Sequence, residues 1–320
     1  MKLVFIAMST LILLLLSLTN GYAQQNENID TQQDKEKIKI AASFYPFYEI
    51  ANEIGGNNTI VTSVIPMGVE PHDWEITPQQ IPDIAEADMI IYNGIGFDAW
   101  FGKDEQFRNS FLVDISKDLQ LIKIGQQQES ENFGQNPQQD DHTSRYDPHI
   151  WLDPILVKNI SKTISNALIN LDPNNTHSYL QNTKNFNQRL DILDSQIKKS
   201  LANCELKDFL TFHQYFHYFA NRYGLTQHAV HGSSPEGEIL PQQIIKTISL
   251  AKDLGIDTIY SEELKDPRLS QTLASEIPNG KVLLLSPIEG IKPEEQKKDI
   301  DFIDKMKMNL ENLKQGLKCK

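Results

Sequence analysis

Cysteine, tryptophan and positive charge are scarce in this chain of 320 residues. Two cysteines, Cys204 and Cys319, exclude a disulfide-dense scaffold and a zinc ribbon built on four thiolates. They permit one bridge, Cys204 to Cys319, and that pairing is expected; two free buried thiols are the alternative. No cysteine lies near residue 23, which excludes a lipid-modified N-terminus there. Lys and Arg number 30 against 43 Asp and Glu, for a net charge of −13. Nucleic acid is thereby excluded as a partner, because phosphate binding needs a basic surface. No His-Glu-x-x-His stretch occurs, so the common zinc-hydrolase signature is missing. Long apolar runs are absent with one exception, "LVFIAMSTLILLLLSLT", which follows Lys2 and ends before Gly21-Tyr22-Ala23. That is the pattern of an export signal over residues 1–23. A retained membrane anchor is the rival reading, since the run approaches the ~20 residues that span a bilayer. Residues 24–37 are polar and read as a disordered tether.

What is present, against only eight histidines and three tryptophans, is an echo. "PHDWEITP" (71–78) and "PHIWLDP" (148–154) both read Pro-His-x-Trp. One such tetrapeptide is unremarkable; two suggest imidazoles aimed at a common target.

The rest of the chain alternates strand and helix signals. In 38–153 the strands are "KIKIAASF" (37–44), "TIVTSVIP" (59–66), "DMIIYNGIG" (88–96) and "SFLVDIS" (110–116). Helices are expected over 45–56 and 76–87. Residues 125–147, rich in Gln, Asn and acids, read as an exposed flexible loop. From 154 to 203 there is no strand signal, and apolar residues recur at helical spacing, punctuated by Asp172-Pro173. Alternation resumes over 204–320, with strands "DFLTF", "QHAVHG", "DTIYSE" and "KVLLLSP". Their helices are expected over 214–224, 241–255, 268–277 and 300–317. The fold class is therefore α/β: two lobes with parallel sheets, bridged by helix, with a cleft faced by strand C-terminal ends.

Four metal-capable side chains fall where such a cleft would be. His72 follows the strand at 59–66, His213 ends "DFLTF", Glu289 lies beyond "KVLLLSP", and His149 opens the bridging helix. Neutral imidazole suits zinc, copper or nickel. His217 is four residues beyond His213 among aromatic neighbours, which favours packing. His142 sits in the polar loop, His177 at a surface helix start, and His228 and His231 flank a strand.

Several stretches, in order, resemble the zinc/manganese solute-binding proteins of ABC importers, the ZnuA/TroA-like family. They are "SFYPFYEIANEIGGNN", "VIPMGVEPHDWEITPQQI", "ADMIIYNGIGFDAW", "DPHIWLDP", "FLTFHQYFHYFANRYGL" and "SPEGEILPQQI", and the likeness covers nearly all of 38–318. The resemblance implies two Rossmann-like lobes joined by a long rigid backbone helix, with one metal site in the cleft. It places ligands at His72, His149 and His213; histidine at the third place resembles the zinc branch and glutamate the manganese branch. The fourth ligand it implies is Glu289 in "SPIEG". Ser286 occupies the place where parts of the family carry an aspartate, and Glu70, Glu262 or water are the competing fourth donors. Trp74, Trp151 and Tyr45 are expected to shape the cleft. The implied function is extracytoplasmic capture of one Zn²⁺, with Mn²⁺ as runner-up, and delivery to an ABC permease by a monomer that is not an enzyme. A zinc hydrolase and a metal-dependent adhesin are the rivals. Location would be periplasm or cell surface, with anchoring by an uncleaved N-terminus as the variant. The loop at 125–147 departs from the His-rich loop of many zinc members, keeping only His142 beside Asp140 and Asp141. Position 217, often glycine in relatives, is histidine here.

Overall fold

The computed structural model describes residues 37–124, 146–231 and 239–320. The expected signal segment, nearly all of the tether, His142 and most of the polar loop lie outside the described residues.

Two parallel four-stranded sheets repeat one topology. The first has β1 (Ile38–Ala42), β2 (Thr59–Ser63), β3 (Met89–Tyr92) and β4 (Phe111–Asp114) in the order β2-β1-β3-β4. The second has β5 (Asp208–Thr211), β6 (Thr226–Ala229), β7 (Thr258–Ser261) and β8 (Lys281–Leu284) in the order β6-β5-β7-β8. Burial follows position in the sheet. Central β3 is "MIIY", buried throughout, as a strand covered on both faces must be. Edge strand β2 alternates, with Thr59 buried and Ile60 exposed.

Helices cover both sheets. In the first lobe they are α1 (Tyr45–Gly55) and α2 (Ile81–Ala85). Two helices link the lobes, α3 (Pro154–Leu171) and α4 (Thr176–Leu201). The second lobe carries α5 (His217–Tyr223), α6 (Pro241–Asp253), α7 (Arg268–Ser275), the single turn α8 (Pro293–Gln296) and α9 (Phe302–Gly316).

The first linking helix starts on local signals. Asp153 caps α3 by accepting from the Ile155 amide at 2.8 Å, and Pro154 occupies the first turn, where no amide donor is needed. Its apolar stripe, Leu156, Val157, Ile160, Ile164 and Leu168, is buried at helical spacing. At 26 residues α4 is about 39 Å long, and it buries Tyr179, Phe186, Leu190, Leu193 and Ile197. Each such apolar side chain contributes about 1.5–3 kcal/mol on burial. Arg189 of α4 reaches Glu53 of α1 at 2.6 Å and pairs with Asp301, the capping residue of α9. One side chain thus ties the linking helix to both lobes.

Two expected helices are shorter than their patterns. The helix expected over 76–87 spans only Ile81–Ala85. Thr77 instead turns onto Gln80, whose side-chain oxygen accepts from the Thr77 amide at 3.0 Å, and Pro82 fixes a helix start. The helix expected over 214–224 begins at His217. The Phe216 amide is taken by the Gln227 side chain at 2.9 Å, and residues 212–216 are spent on turning His213 inward. Cys204 and Cys319 are disulfide-bonded, closing the start of the second lobe onto its end, as expected.

Candidate metal centre

Every group of the site stands just past the C-terminal end of a parallel strand or at a helix start. His72 rides on a short turn, Pro71–Asp73, after β2. His149 precedes the turn Ile150–Leu152 that leads into α3. His213 follows β5, and Glu289 follows β8. The approach of the His149 segment is set by Asn93, beyond β3, whose side-chain amide donates to the Pro148 carbonyl at 2.9 Å. Gly96, at φ +76°, lies so close that a Cβ there would meet the Pro148 ring at 2.9 Å. Only glycine combines that backbone with that approach.

The structure brings His72, His149, His213 and Glu289 together: one donor atom from each lies within 4.8 Å of the other three. The ring centroids of the three histidines stand 5.4–5.7 Å apart. Glu289 Oε1 lies 3.3 Å from His72 Nε2 and 3.2 Å from His149 Nε2. His149, His213 and Glu289 are fully buried or nearly so. His213 Nε2 and Glu289 Oε2 have no hydrogen-bond partner, and His149 Nε2 faces only Glu289 Oε1. A buried polar atom left unpaired costs about 1–3 kcal/mol. Two of them in one cluster of converging donors are the mark of a site completed by a cation, and three imidazoles with one carboxylate match the donor set of a tetrahedral zinc shell.

Behind the rings stands a layer of carboxylates. His149 Nδ1 is 2.7 Å from Asp147 Oδ1, and His213 Nδ1 is 2.9 Å from Glu262 Oε1. A carboxylate facing Nδ1 requires that nitrogen to carry the proton, which leaves the Nε2 lone pair for the centre. Glu262, a competing fourth donor in the sequence, is therefore behind His213 rather than among the four. Glu70, the other competitor, is outside the cluster as well, 3.7 Å from Lys265. Burial, Glu289 and Glu262 push the Glu70 carboxyl up to about 8. Burial opposes charge on Glu289 too, yet His72 and His149 hold it well below the ordinary carboxylate range. Burial also lowers His72. For His149 burial acts the same way but is outweighed by Asp147 and Glu289, which raise the ring to about 9.

Asp147 was missed in the sequence because it reads as the end of the polar loop 125–147. It is buried, and Tyr146 beside it pairs with Lys123 in an antiparallel bridge. The usable signal was its place two residues before His149. His217 is 3.7 Å from Asp147 Oδ2, so it borders the site from outside. Among the aromatics, Trp151 stands 5.2 Å from the His149 ring. Tyr215, one of the aromatic neighbours of His217, is 4.6 Å from His213. Tyr45 is instead a core residue, with its hydroxyl near Glu49 and Asp301. His228 pairs with Asp208 at 2.8 Å, and His177 is exposed.

Two α/β lobes with a buried imidazole–carboxylate cluster at their strand ends define a bilobed binding protein with a site for a divalent metal ion. The chain belongs to the family described as zinc-uptake complex component A, periplasmic, whose model matches residues 40–316. It is 34% identical over 303 residues to the high-affinity zinc uptake system protein ZnuA of Bacillus subtilis, covering 94% of this chain and 93% of that protein. Among solved structures, the Zn(II)-bound ZnuA-like domain of Streptococcus pneumoniae AdcA is similar at a TM-score of 0.73 and 27% identity, covering 88% of this chain and 99% of that one. The laminin-binding protein Lmb of Streptococcus agalactiae, described as bifunctional with adhesin and metal-transporting activity, is similar at a TM-score of 0.77 and 26% identity, covering 88% of this chain and 100% of that one.

Proposed function

We propose that this protein captures one Zn²⁺ outside the cytoplasm on His72, His149, His213 and Glu289 and delivers it, as a monomer, to an ABC-type permease. The observation that carries the reading is the convergence of four donors within 4.8 Å, three of them neutral-capable imidazoles. Membership in a zinc-uptake family and likeness to zinc-binding relatives support it. Mn²⁺ is the runner-up; it favours carboxylate and water donors, and this site offers one carboxylate.

The reading assigns no reaction. A catalytic zinc keeps an open position for water, whereas here Glu289 stands beside the imidazoles as the fourth donor. The His149 and His213 rings are held from behind by Asp147 and Glu262, so much of the site is organised before the ion arrives, which favours tight binding. Residues 1–23 serve export, with the periplasm or the cell surface as destination and an uncleaved segment as the alternative anchor. The proposed division is a first lobe over 38–153, a linking segment over 154–203 and a second lobe over 204–320. Among the described residues no helix is long and apolar enough to cross a membrane.

The test is titration of the metal-free protein with Zn²⁺ against a chelator, alone and with purified permease in vesicles. Stoichiometric binding, lost on His149→Ala together with His213→Ala, and permease-dependent zinc entry are expected. Undiminished binding in the double variant would overturn the site assignment.

A further inference from the structure

The four residues before Glu289 are held to an unusual degree by side chains rather than by strand pairing. The Leu285 carbonyl accepts from the Tyr215 hydroxyl at 2.8 Å. Asn309 of α9 clamps Ser286 twice, accepting from its amide and donating to its carbonyl, both at 2.7 Å. The Pro287 carbonyl accepts from Trp151 Nε1 at 2.8 Å. The Ile288 amide donates to the Ser286 hydroxyl oxygen at 2.9 Å, and that hydroxyl donates to Glu263 at 2.6 Å. Glu263 in turn pairs with Lys305, almost fully buried, at 2.6 Å.

Ile288 itself sits at φ +56°. A β-branched residue rarely adopts the left-handed region; it persists there only where the surroundings over-determine the backbone. Relaxing Ile288 would swing the next residue, Glu289, away from the histidines. The clamps come from telling places. Tyr215 is two residues from His213, and Trp151 is two residues from His149. Trp151 leaves the first lobe toward the linking helices, whereas Pro287 leaves the last strand of the second, so this buried bond joins the two lobes.

We infer that Trp151 and Tyr215 are positioning residues that latch the Glu289 loop to the two histidine segments: Tyr215 holds the loop within the second lobe, and Trp151 makes carboxylate contact with the ion depend on the lobes being closed. The inference rests on the reading of Glu289 as a metal ligand. It also gives the second Pro-His-x-Trp a purpose: His149 faces the ion and Trp151 holds the loop bearing the carboxylate. Parting the lobes stretches the Trp151–Pro287 bond, frees the strained turn at Ile288 and withdraws one donor of four. Release then becomes a consequence of opening.

The test uses stopped-flow zinc dissociation and association for Trp151→Phe and Tyr215→Phe, each in the native background and combined with Glu289→Gln. Tyr215→Phe keeps the buried ring and deletes only the hydroxyl donor, whereas Trp151→Phe deletes the indole donor together with part of a fully buried ring. Expected is a rise of about 5- to 10-fold in the dissociation rate for each single variant, the scale of a lost buried hydrogen bond, with association changed less than about 2-fold. In the Glu289→Gln background that rise should vanish, because the latch has nothing left to hold. A thermal melt of each metal-free variant checks folding, and Tyr215→Phe carries the test if Trp151→Phe does not fold. Unchanged dissociation rates in both folded variants, or the same rise with and without Glu289, overturns the latch. Native zinc affinity in Glu289→Gln itself would instead overturn the ligand assignment beneath it.

Discussion

Asp147 Oδ1 and His149 Nδ1 stand 2.7 Å apart at the fully buried back of the site. The carboxylate fixes the ring's tautomer and orientation, so its removal should weaken the centre without touching a donor atom. Asp147→Ala is expected to lower zinc affinity about 10- to 100-fold, and Glu262→Ala, behind His213, to do the same. Competition with a chelating dye measures both; affinities equal to the native protein's would show the carboxylate layer to be idle.

The ranking of the three glutamates is a separate expectation. Glu289→Ala should cost at least as much affinity as Glu262→Ala and far more than Glu70→Ala, since only Glu289 lies among the four converging donors. Isothermal titration of the three variants decides it. A large loss in Glu70→Ala with native binding in Glu289→Ala would place the fourth donor elsewhere.

Acidity should act on binding earlier than histidine's ordinary value near 6.5 implies. In the metal-free protein His149 is raised to about 9, so at neutral pH it carries a proton that the ion must displace. Affinity should therefore rise by up to about tenfold per pH unit from 7 toward 9, then level off once the ring is neutral. Burial lowers His72, so that ring adds no competition until the pH is below its ordinary range. At pH 7.5, calorimetry in buffers of different ionisation enthalpy should show about one proton released per zinc. Flat affinity between pH 7 and 9 would contradict the charge state assigned to His149.

The Cys204–Cys319 bridge closes a segment with a sequence separation of 115. In the chain-entropy model a loop of that length contributes up to about 5 kcal/mol. Cys204→Ser with Cys319→Ser should lower the unfolding midpoint, while zinc affinity stays within about 2-fold because the bridge belongs to the far end of the second lobe. A loss of affinity without a loss of stability would show that the bridge acts on the site.

Much of this was legible in the sequence because it is local. The continuous apolar run "MIIY" announces a doubly covered strand, and Asp153-Pro154 announces a helix start. The paired Pro-His-x-Trp stretches announced His72 and His149. What was not legible depends on pairings distant in the chain. Glu262 and Glu289 each lie just past a strand, and nothing local says that one supports His213 while the other joins the donors. Asp147 looked like loop because a long, mostly polar stretch precedes it, yet a bridge between Tyr146 and Lys123 ends that loop before it. Ile288 gives no sign of its positive φ, since the clamps that hold the loop come from Trp151, Tyr215 and Asn309.

The most direct test of the central claim is metal content after refolding-free stripping and reloading with equimolar Zn²⁺ and Mn²⁺, read by elemental analysis of the desalted protein. Three imidazoles and one carboxylate predict about one zinc per chain and almost no manganese. Retention of manganese in preference to zinc, or of neither ion, would contradict the account.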